Sequence, residues 1–288
     1  MNIKKRVMIF YIVIILSVLF FFFLLSEKID EIVIRGYDVA CDINDEIRIV
    51  QLTDLHNREF GDNNIDLISK VSEQHPDLIF MTGDMLGKSD DLEVICSCIK
   101  SLSEIAPVYF SYGNHEMYWE NGTETELREA LTKTGAIVLN CEYTDIELKG
   151  EKLRIGGYYG YYRASHMRTA DENEQKAEIA FADEFENTEN TKLLLCHIPT
   201  AWVDWEYIDK YPIDVVFTGH YHGGQIRLPF MGGLYAPYVG WFPENTKGIF
   251  EGQEATCILS TGLGSEKWIP RINNPAEVVV IDLIKKEN

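Results

Sequence analysis

The amino-acid sequence predicts an α/β domain preceded by one apolar helix, and three observations carry that expectation. In the first half, short apolar runs of strand length alternate with segments of helical period. Several of those runs end directly in short motifs of Gly, Asp, Asn and His, an arrangement that gathers distant residues at one edge of a sheet. Ahead of all this, residues 7–25 are uncharged and almost wholly apolar.

At about 1.5 Å of rise per residue, the apolar run makes a helix about 28 Å long, close to the hydrocarbon thickness of a bilayer. Lys4, Lys5 and Arg6 precede it, and Glu27, Asp30 and Glu31 follow. The basic side is therefore expected in the cytoplasm, with the rest of the chain on the extracytoplasmic side of the cell membrane. A cleaved signal peptide is the competing reading. Against it, no A-x-A-like site stands near Leu24-Leu25-Ser26-Glu27, and no cysteine is close enough for a lipid-modified cleavage site. The expected organisation is a basic N-terminus over 1–6, a transmembrane anchor over 7–25, a linker over 26–30 and one large domain over 31–288.

In the domain, 31–41 and 47–52 read as strands, and the second runs straight towards Asp54. Residues 64–74 have helical period, with Ile65, Ile68 and Val71 on one face and Pro76 as the stop. A short apolar strand over 77–81 leads to Gly83-Asp84, a helix is expected over 92–105, and a strand over 107–111 leads to Gly113-Asn114. Residues 123–134 read as a helix with Thr123 and Glu126 as a capping box and Gly135 as its end. The second half is richer in strands, expected over 152–158, 193–196, 215–218, 256–260 and 277–283. Between the first two lie an aromatic run, 158–162, and an acidic helical stretch, 171–189. Residues 161–190 are the candidate for a variable cap, with a solvated acidic helix as the plainer reading.

The formal net charge is −20, and three of the cations sit ahead of the apolar run, so the domain is more acidic still. Such a surface repels polyanions and argues against nucleic-acid binding. A phosphate-bearing ligand would have to be attracted locally. The six cysteines form no zinc-type CxxC pair, and Cys96 and Cys98 fall within an expected helix, where packing is the simpler role.

Five of the seven histidines fall in one ordered series: Asp54-Leu55-His56, Gly83-Asp84, Gly113-Asn114-His115-Glu116, Cys196-His197 and Gly219-His220-Tyr221-His222. Carboxylate, amide and imidazole ligands without thiolate suit Mn, Fe or Zn rather than a structural zinc. Asp-x-His at a strand end is expected to offer two ligands on one face, because alternate side chains of an extended chain point the same way. Gly83 and Gly113 allow tight turns that present the next residue. His75 and His166 are expected to be exposed.

Taken in order, these motifs resemble those of the calcineurin-like metallophosphoesterase superfamily, D-x-H, G-D, G-N-H-[D/E], H and G-H-x-H. The run from Gly219 to Gln225, with Leu228-Pro229-Phe230, Gly262-Leu263-Gly264 and Asn273-Asn274-Pro275-Ala276-Glu277, is similar to its YkuE/YaeI-like membrane-associated branch, from about Glu31 onward. The resemblance implies a four-layer αββα sandwich. It implies a pair of divalent or transition-metal ions, the first held by Asp54, His56 and His222, the second by Asn114, His197 and His220, with Asp84 bridging. His115 would face the scissile phosphate as general acid or charge stabiliser. Glu116, where many members have Asp, either orients His115 or lies elsewhere. Tyr221, where Thr is common, faces substrate or packs. Gly223, Gly224 and Gln225 would shape the rim, and Arg271 is either a phosphate contact or an ordinary surface residue.

The implied activity is metal-dependent hydrolysis of a phosphate ester, such as a phosphodiester or a lipid- or envelope-linked phosphate, by water activated between the ions. Relatives in the branch cleave UDP-diacylglucosamine, so a pyrophosphatase acting on nucleotide-sugar lipids is the first alternative. A catalytically silent metal-binding scaffold is the second, and the presence of every ligand position stands against it. The aromatic run 158–162 and the segment 230–242 either line a rim open to a lipid headgroup or pack internally.

Overall fold

Two six-stranded sheets pack face to face and carry helices on their outer sides, so that three apolar layers separate four layers of secondary structure. The computed structural model describes residues 3–26, 31–87, 92–265 and 269–286, the side chains of 19, 22–26 and 165 excepted. In chain order come α1 (Ile3–Ser26), β1 (Ile32–Cys41), β2 (Ile47–Leu52), α2 (Ile65–Ser72), β3 (Leu78–Thr82), α3 (Leu92–Ser103) and β4 (Val108–Ser111). Next are α4 (Asn114–Met117), α5 (Glu124–Lys133), β5 (Ala136–Leu139), β6 (Glu142–Leu148), β7 (Glu151–Tyr158), α6 (Glu172–Glu186) and β8 (Thr191–Cys196). Then follow α7 (Thr200–Val203), β9 (Val215–Thr218), β10 (Arg227–Leu228), β11 (Gly232–Gly233), β12 (Tyr235–Ala236) and β13 (Gly240–Trp241). The last are β14 (Gly248–Glu251), β15 (Thr256–Leu259) and β16 (Ala276–Lys285).

The first sheet runs β1-β16-β2-β3-β4-β5 and the second β14-β15-β9-β8-β7-β6. The two-residue period of a strand explains how one sheet serves two layers. In β2, Val50 and Leu52 face the outer helices, whereas Ile47 and Ile49 face the second sheet. β3 divides in the same way, with Ile79 and Met81 outward and Leu78 and Phe80 inward. In β8, Leu193 and Leu195 point into the inter-sheet layer, and Leu194 and Cys196 point to the far helices. Strands buried on both faces read as unbroken apolar runs, which is why β3 and β9 were recognisable in sequence.

The expected capping box of α5 is present. The Glu126 N–H donates to Thr123 Oγ1 over 3.2 Å, and the Thr123 N–H donates to Glu126 Oε2 over 2.7 Å. The polar strand β6 was not foreseen, because its side chains are mostly half-buried or exposed at the edge of the second sheet. The topology also holds a surprise: β16 inserts between β1 and β2, parallel to the first and antiparallel to the second. Arg48 donates two hydrogen bonds, of 2.7 and 2.8 Å, to the Asp282 carboxylate across 234 residues of sequence.

One expectation needs correction. Residues 161–190 do not form a cap: α6 lies on the outer face of the second sheet, with Phe181, Ala182 and Phe185 buried in that layer and its acidic side in solvent. Tyr158 and Tyr162 of the aromatic run pack into the same layer. α1 is helical throughout, and among the described residues no helix is long and apolar enough to cross a membrane. The continuous stretch of described side chains in α1 ends at Val18, about 24 Å along, and Leu19 and 22–25 of the expected anchor lie outside it. The six cysteines form no disulfide.

The inter-sheet layer turns on Phe80, whose ring meets Phe217 edge-on at 4.9 Å and Tyr109 at 5.9 Å. Phe80→Ala is expected to lower stability by about 3–5 kcal/mol. Urea unfolding followed by circular dichroism measures this, and a loss below about 1 kcal/mol would mean the layer repacks.

Candidate metal centre

Parallel strands place the chemistry at one edge. Asp54 follows β2, Asp84 follows β3 and Asn114 follows β4, while His197 and His220 follow β8 and β9 of the other sheet. The two sheets are tied together at this edge. Gln51 Nε2 donates to the Thr218 carbonyl over 2.9 Å, and the His220 N–H donates to Asp54 Oδ2 over 3.0 Å.

The side chains converge into three groups whose ligand atoms lie within 4.8 Å of one another: Asp54, His56 and His222; His56, Asp84 and His115; and Asp84, His197 and His220. Asp84 belongs to two of them, as does His56. His197 Nε2 sits 3.1 Å from both Asp84 Oδ2 and His220 Nδ1. Its other nitrogen lies 2.8 Å from the Thr82 carbonyl, which fixes the tautomer with Nε2 turned to the site. His222 Nε2 is 3.6 Å from Asp54 Oδ1. His115 is half-buried, with its ring 4.7 Å from that of His56.

Burial dominates the proton affinities. It pushes Asp54 up to about 6 and takes His220 down to about 3 and His222 well below the usual imidazole range. Burial alone would also raise Asp84 and lower His197, but their contact reverses both. Asp84 is held well below its ordinary value, and His197 is raised to about 9.

The residues fit a cation. Among the described residues, Asn114 Oδ1, His220 Nε2 and His222 Nδ1 are buried with no hydrogen-bond partner, a cost of about 1–3 kcal/mol each unless something is bound there. The donor set is oxygen and imidazole nitrogen without sulfur, as hard or borderline metals prefer. Asn114 heads α4, directly before His115 of the second group.

The local backbone is not the extended chain expected for Asp-x-His. Asp54, His56, Asp84, His220 and His222 all have left-handed φ, between 47° and 68°. Their side chains are aimed by tight turns beyond the strand ends, and such conformations cost about 1–3 kcal/mol each. The loop after β2 is braced on the loop after β3. The N–H groups of Asp54, His56 and Asn57 donate to the carbonyls of Gly83, Asp84 and Met85 over 3.0 to 3.1 Å. Gly83, at φ 84°, abuts Gly113, and a Cβ on either would overlap backbone of the other loop or Asp84 itself.

Glu116, left open by the sequence, is buried and accepts four backbone N–H groups: Asp84 and Gly113 at 2.8 Å on Oε2, Met85 and Leu86 at 2.9 Å on Oε1. It positions both loops. Tyr221 packs, with its hydroxyl 2.6 Å from Asp204 Oδ2 and 2.7 Å from Thr200 Oγ1. Both readings of Arg271 are overturned. It is 1% exposed and donates to the carbonyls of Thr261, Gly264, Asn274 and Pro275, and burial lowers its pKa to about 10. Gly223 to Gln225 are buried rather than on a rim, whereas His75 and His166 are exposed as expected.

Sequence reasoning missed Thr53, Thr82 and Thr218, all fully buried behind the site; the Thr53 hydroxyl donates to Asp54 Oδ2 over 2.9 Å, the Thr82 carbonyl meets His197, and the Thr218 carbonyl accepts from Gln51. The signal was present as a threonine closing three apolar runs: Thr53-Asp54, Thr82-Gly83-Asp84 and Thr218-Gly219-His220. Glu116→Gln replaces an acceptor by an amide donor facing N–H groups. It is expected to cost about 2–4 kcal/mol and to reduce metal retained after dialysis. Urea unfolding and elemental analysis read these, and near-native values in both would remove Glu116 from its positioning role.

The sequence model of the calcineurin-like phosphoesterase family matches residues 47–224. Phosphodiesterase YaeI of Escherichia coli is 27% identical over 243 residues, 82% of each chain. The UDP-2,3-diacylglucosamine pyrophosphatase LpxG of Chlamydia muridarum is 26% identical over 277 residues, covering 82% of this chain and 83% of that one. An uncharacterized metallophosphoesterase of Campylobacter jejuni, Cj0846, is 28% identical over 262 residues, 88% of this chain but 64% of its own length. Among solved structures, the phosphopantetheinyl hydrolase of Mycobacterium tuberculosis matches over 75% of this chain and 90% of that one, at 12% identity and a TM-score of 0.47. With the family match spanning more than half of its length, the chain belongs to the calcineurin-like phosphoesterases, a family of metal-dependent hydrolases of phosphate esters.

Proposed function

We propose that this protein is a membrane-anchored phosphoesterase that uses two metal ions to hydrolyse a phosphodiester or a lipid- or envelope-linked phosphate. The observation that carries the reading is Asp84, whose carboxylate is grouped with His56 on one side and with His197 and His220 on the other, and so suits a position between the two ligand sets. Asp54, His56 and His222 would hold one ion, and Asn114, His197 and His220 the other. When bound, such a pair of Mn, Fe or Zn ions supplies Lewis acidity towards phosphate oxygens and makes water more acidic. The chain's own residues do the rest. Thr82 holds the tautomer of His197, Glu116 fixes the turn that aims Asp84, and His115, half-buried at the mouth, protonates or stabilises the leaving oxygen.

A second reading keeps the same chemistry on a P–O–P bond of a nucleotide-sugar lipid. The likeness to LpxG favours it, and a screen of phosphodiesters against UDP-linked lipids separates the two.

The anchor reading is supported by α1 itself. Val7 to Leu16, Val18, Phe20 and Phe21 are at least 40% exposed around the whole helix where described, a surface that water does not tolerate alone. Lys4, Lys5 and Arg6 before it favour an extracytoplasmic domain.

Purified protein reconstituted with Mn, Fe or Zn is expected to hold two ions per chain by elemental analysis. Asp84→Ala should lose metal and activity together. His115→Ala should keep the metal and lose about 10²-fold in rate on an ester with a poor leaving group. Unchanged turnover in that variant would remove His115 from the mechanism. Protease added to intact spheroplasts is expected to digest the domain, and protection until lysis would reverse the orientation.

A further inference from the structure

The segment between Gln225 and Pro243 has no role in the site described so far, and its composition is anomalous. It contains no Asp or Glu over its whole length, in a chain with 46 such residues. It folds as two short hairpins, β10 with β11 and β12 with β13. The tip of the first exposes Phe230 at 109% and Met231 at 61%, the tip of the second exposes Tyr238 at 65%, and its open end exposes Trp241 at 66% and Phe242 at 55%. The expectation that these aromatics pack internally therefore fails for the tips. The one cation, Arg227, is turned inward, donating to the Gly223 carbonyl over 2.7 Å and to Thr246 Oγ1 over 2.9 Å. Behind the tips the apolar character continues into a cleft of about 250 Å³ lined by Ile226, Leu234, Tyr235, Trp241, Ile269 and Pro270.

The hairpins stand beside the metal centre. The Tyr238 ring stacks on that of His220 at 5.0 Å, and Asn274, next to the cleft wall, donates to the His222 carbonyl over 2.7 Å. The strand register then fixes a third element at the same edge. β16 starts at Ala276 and runs antiparallel to β2, so its first residues lie where β2 ends and Asp54 begins. β1 is parallel to β16, with Ile32 opposite Ala276. The chain therefore enters the domain from α1 at the metal-bearing edge. Only residues 27–30 separate α1 from Glu31, a reach of at most about 18 Å.

We propose that the hairpins of residues 226–242 are a lipid-contact surface that inserts its exposed aromatic and methionine side chains into the bilayer interface, so that the metal centre opens towards the membrane plane. Bare apolar side chains rimmed by a polar surface mark a contact site. Removal of carboxylates from this stretch spares an acidic domain the repulsion of anionic headgroups, and aromatic side chains favour the interfacial zone. This inference rests on the anchor reading and deepens it, because the same edge receives the apolar helix, the aromatic tips and the ligand set. A substrate phosphate carried by a lipid would then meet the metals without leaving the interface.

The test uses the full chain in vesicles of phosphatidylcholine and phosphatidylglycerol, with brominated phosphatidylcholine as a depth-dependent quencher of tryptophan fluorescence. The wild type is compared with Trp241→Phe and Phe230→Glu. The expected result is brominated-lipid quenching that Trp241→Phe removes in part and that Phe230→Glu weakens with Trp241 still present. The Trp241 component should be blue-shifted and shielded from aqueous iodide. Vesicle flotation separates the outcomes. If the protein floats but brominated lipid quenches the wild type and Trp241→Phe equally, the surface does not touch lipid and the anchor reading stands alone. If it does not float, both fail. If Trp241 is instead shielded in detergent micelles only as the protein dimerises, the patch is an interface between two copies and the lipid proposal is overturned. None of these readouts depends on phosphoesterase turnover.

Discussion

The Glu116 carboxylate is the constraint on which the candidate centre depends. One buried anion accepts N–H groups from Asp84, Met85, Leu86 and Gly113, and so locks together the loops that follow β3 and β4. Those loops carry Asp84, Asn114 and His115, and Asp84 is held in a left-handed turn that it would not adopt unaided. Glu116 is saturated by backbone donors and lies outside every ligand group, whereas Asp54 and Asp84 turn oxygens towards imidazoles. All three acids at this edge accept backbone N–H groups, but only Asp54 and Asp84 also face imidazoles.

Much of the fold was legible because the chemistry and the pattern agreed. β2, β3, β4, β8 and β9 are apolar runs ending in polar motifs, and they lie within a residue or two of their expected bounds. The polar edge strand β6 and the two-residue hairpins carry no such pattern, since neither is buried on both faces. The ligand set was readable as residue types in order, but the reason offered for one pair was wrong. Asp54 and His56 converge through left-handed turns, not through strand alternation. Arg271 was misread in both of its versions because its four carbonyl partners come from loops that only the folded chain brings together. Glu116 escaped for the same reason: backbone N–H groups have no signature in sequence.

Electrostatics at the centre runs against the rest of the molecule. The chain carries −20 overall, yet its buried edge stacks five histidines around two carboxylates. Asp84 lies against His197 and raises its proton affinity, so carboxylate and imidazole already meet where a cation would bind. A metal there would compete with protons for the same imidazole and carboxylate. The acid-free hairpins beside this edge extend the same local exception to the surface.

The insertion of β16 between β1 and β2 bears on how the protein is made. β1 is among the first parts of the domain to leave the ribosome, yet its one sheet partner arrives some 240 residues later. Until then the strand is an unsatisfied edge, and closing so long a loop is slow. The first sheet cannot close progressively during synthesis. A nascent chain stalled or cleaved before Ala276 leaves β1 unpaired and the flank of Asp54 open. Such a fragment is a substrate for chaperones and proteases rather than a partly active enzyme, and quality control falls on the last strand in the sequence to be built into the sheet.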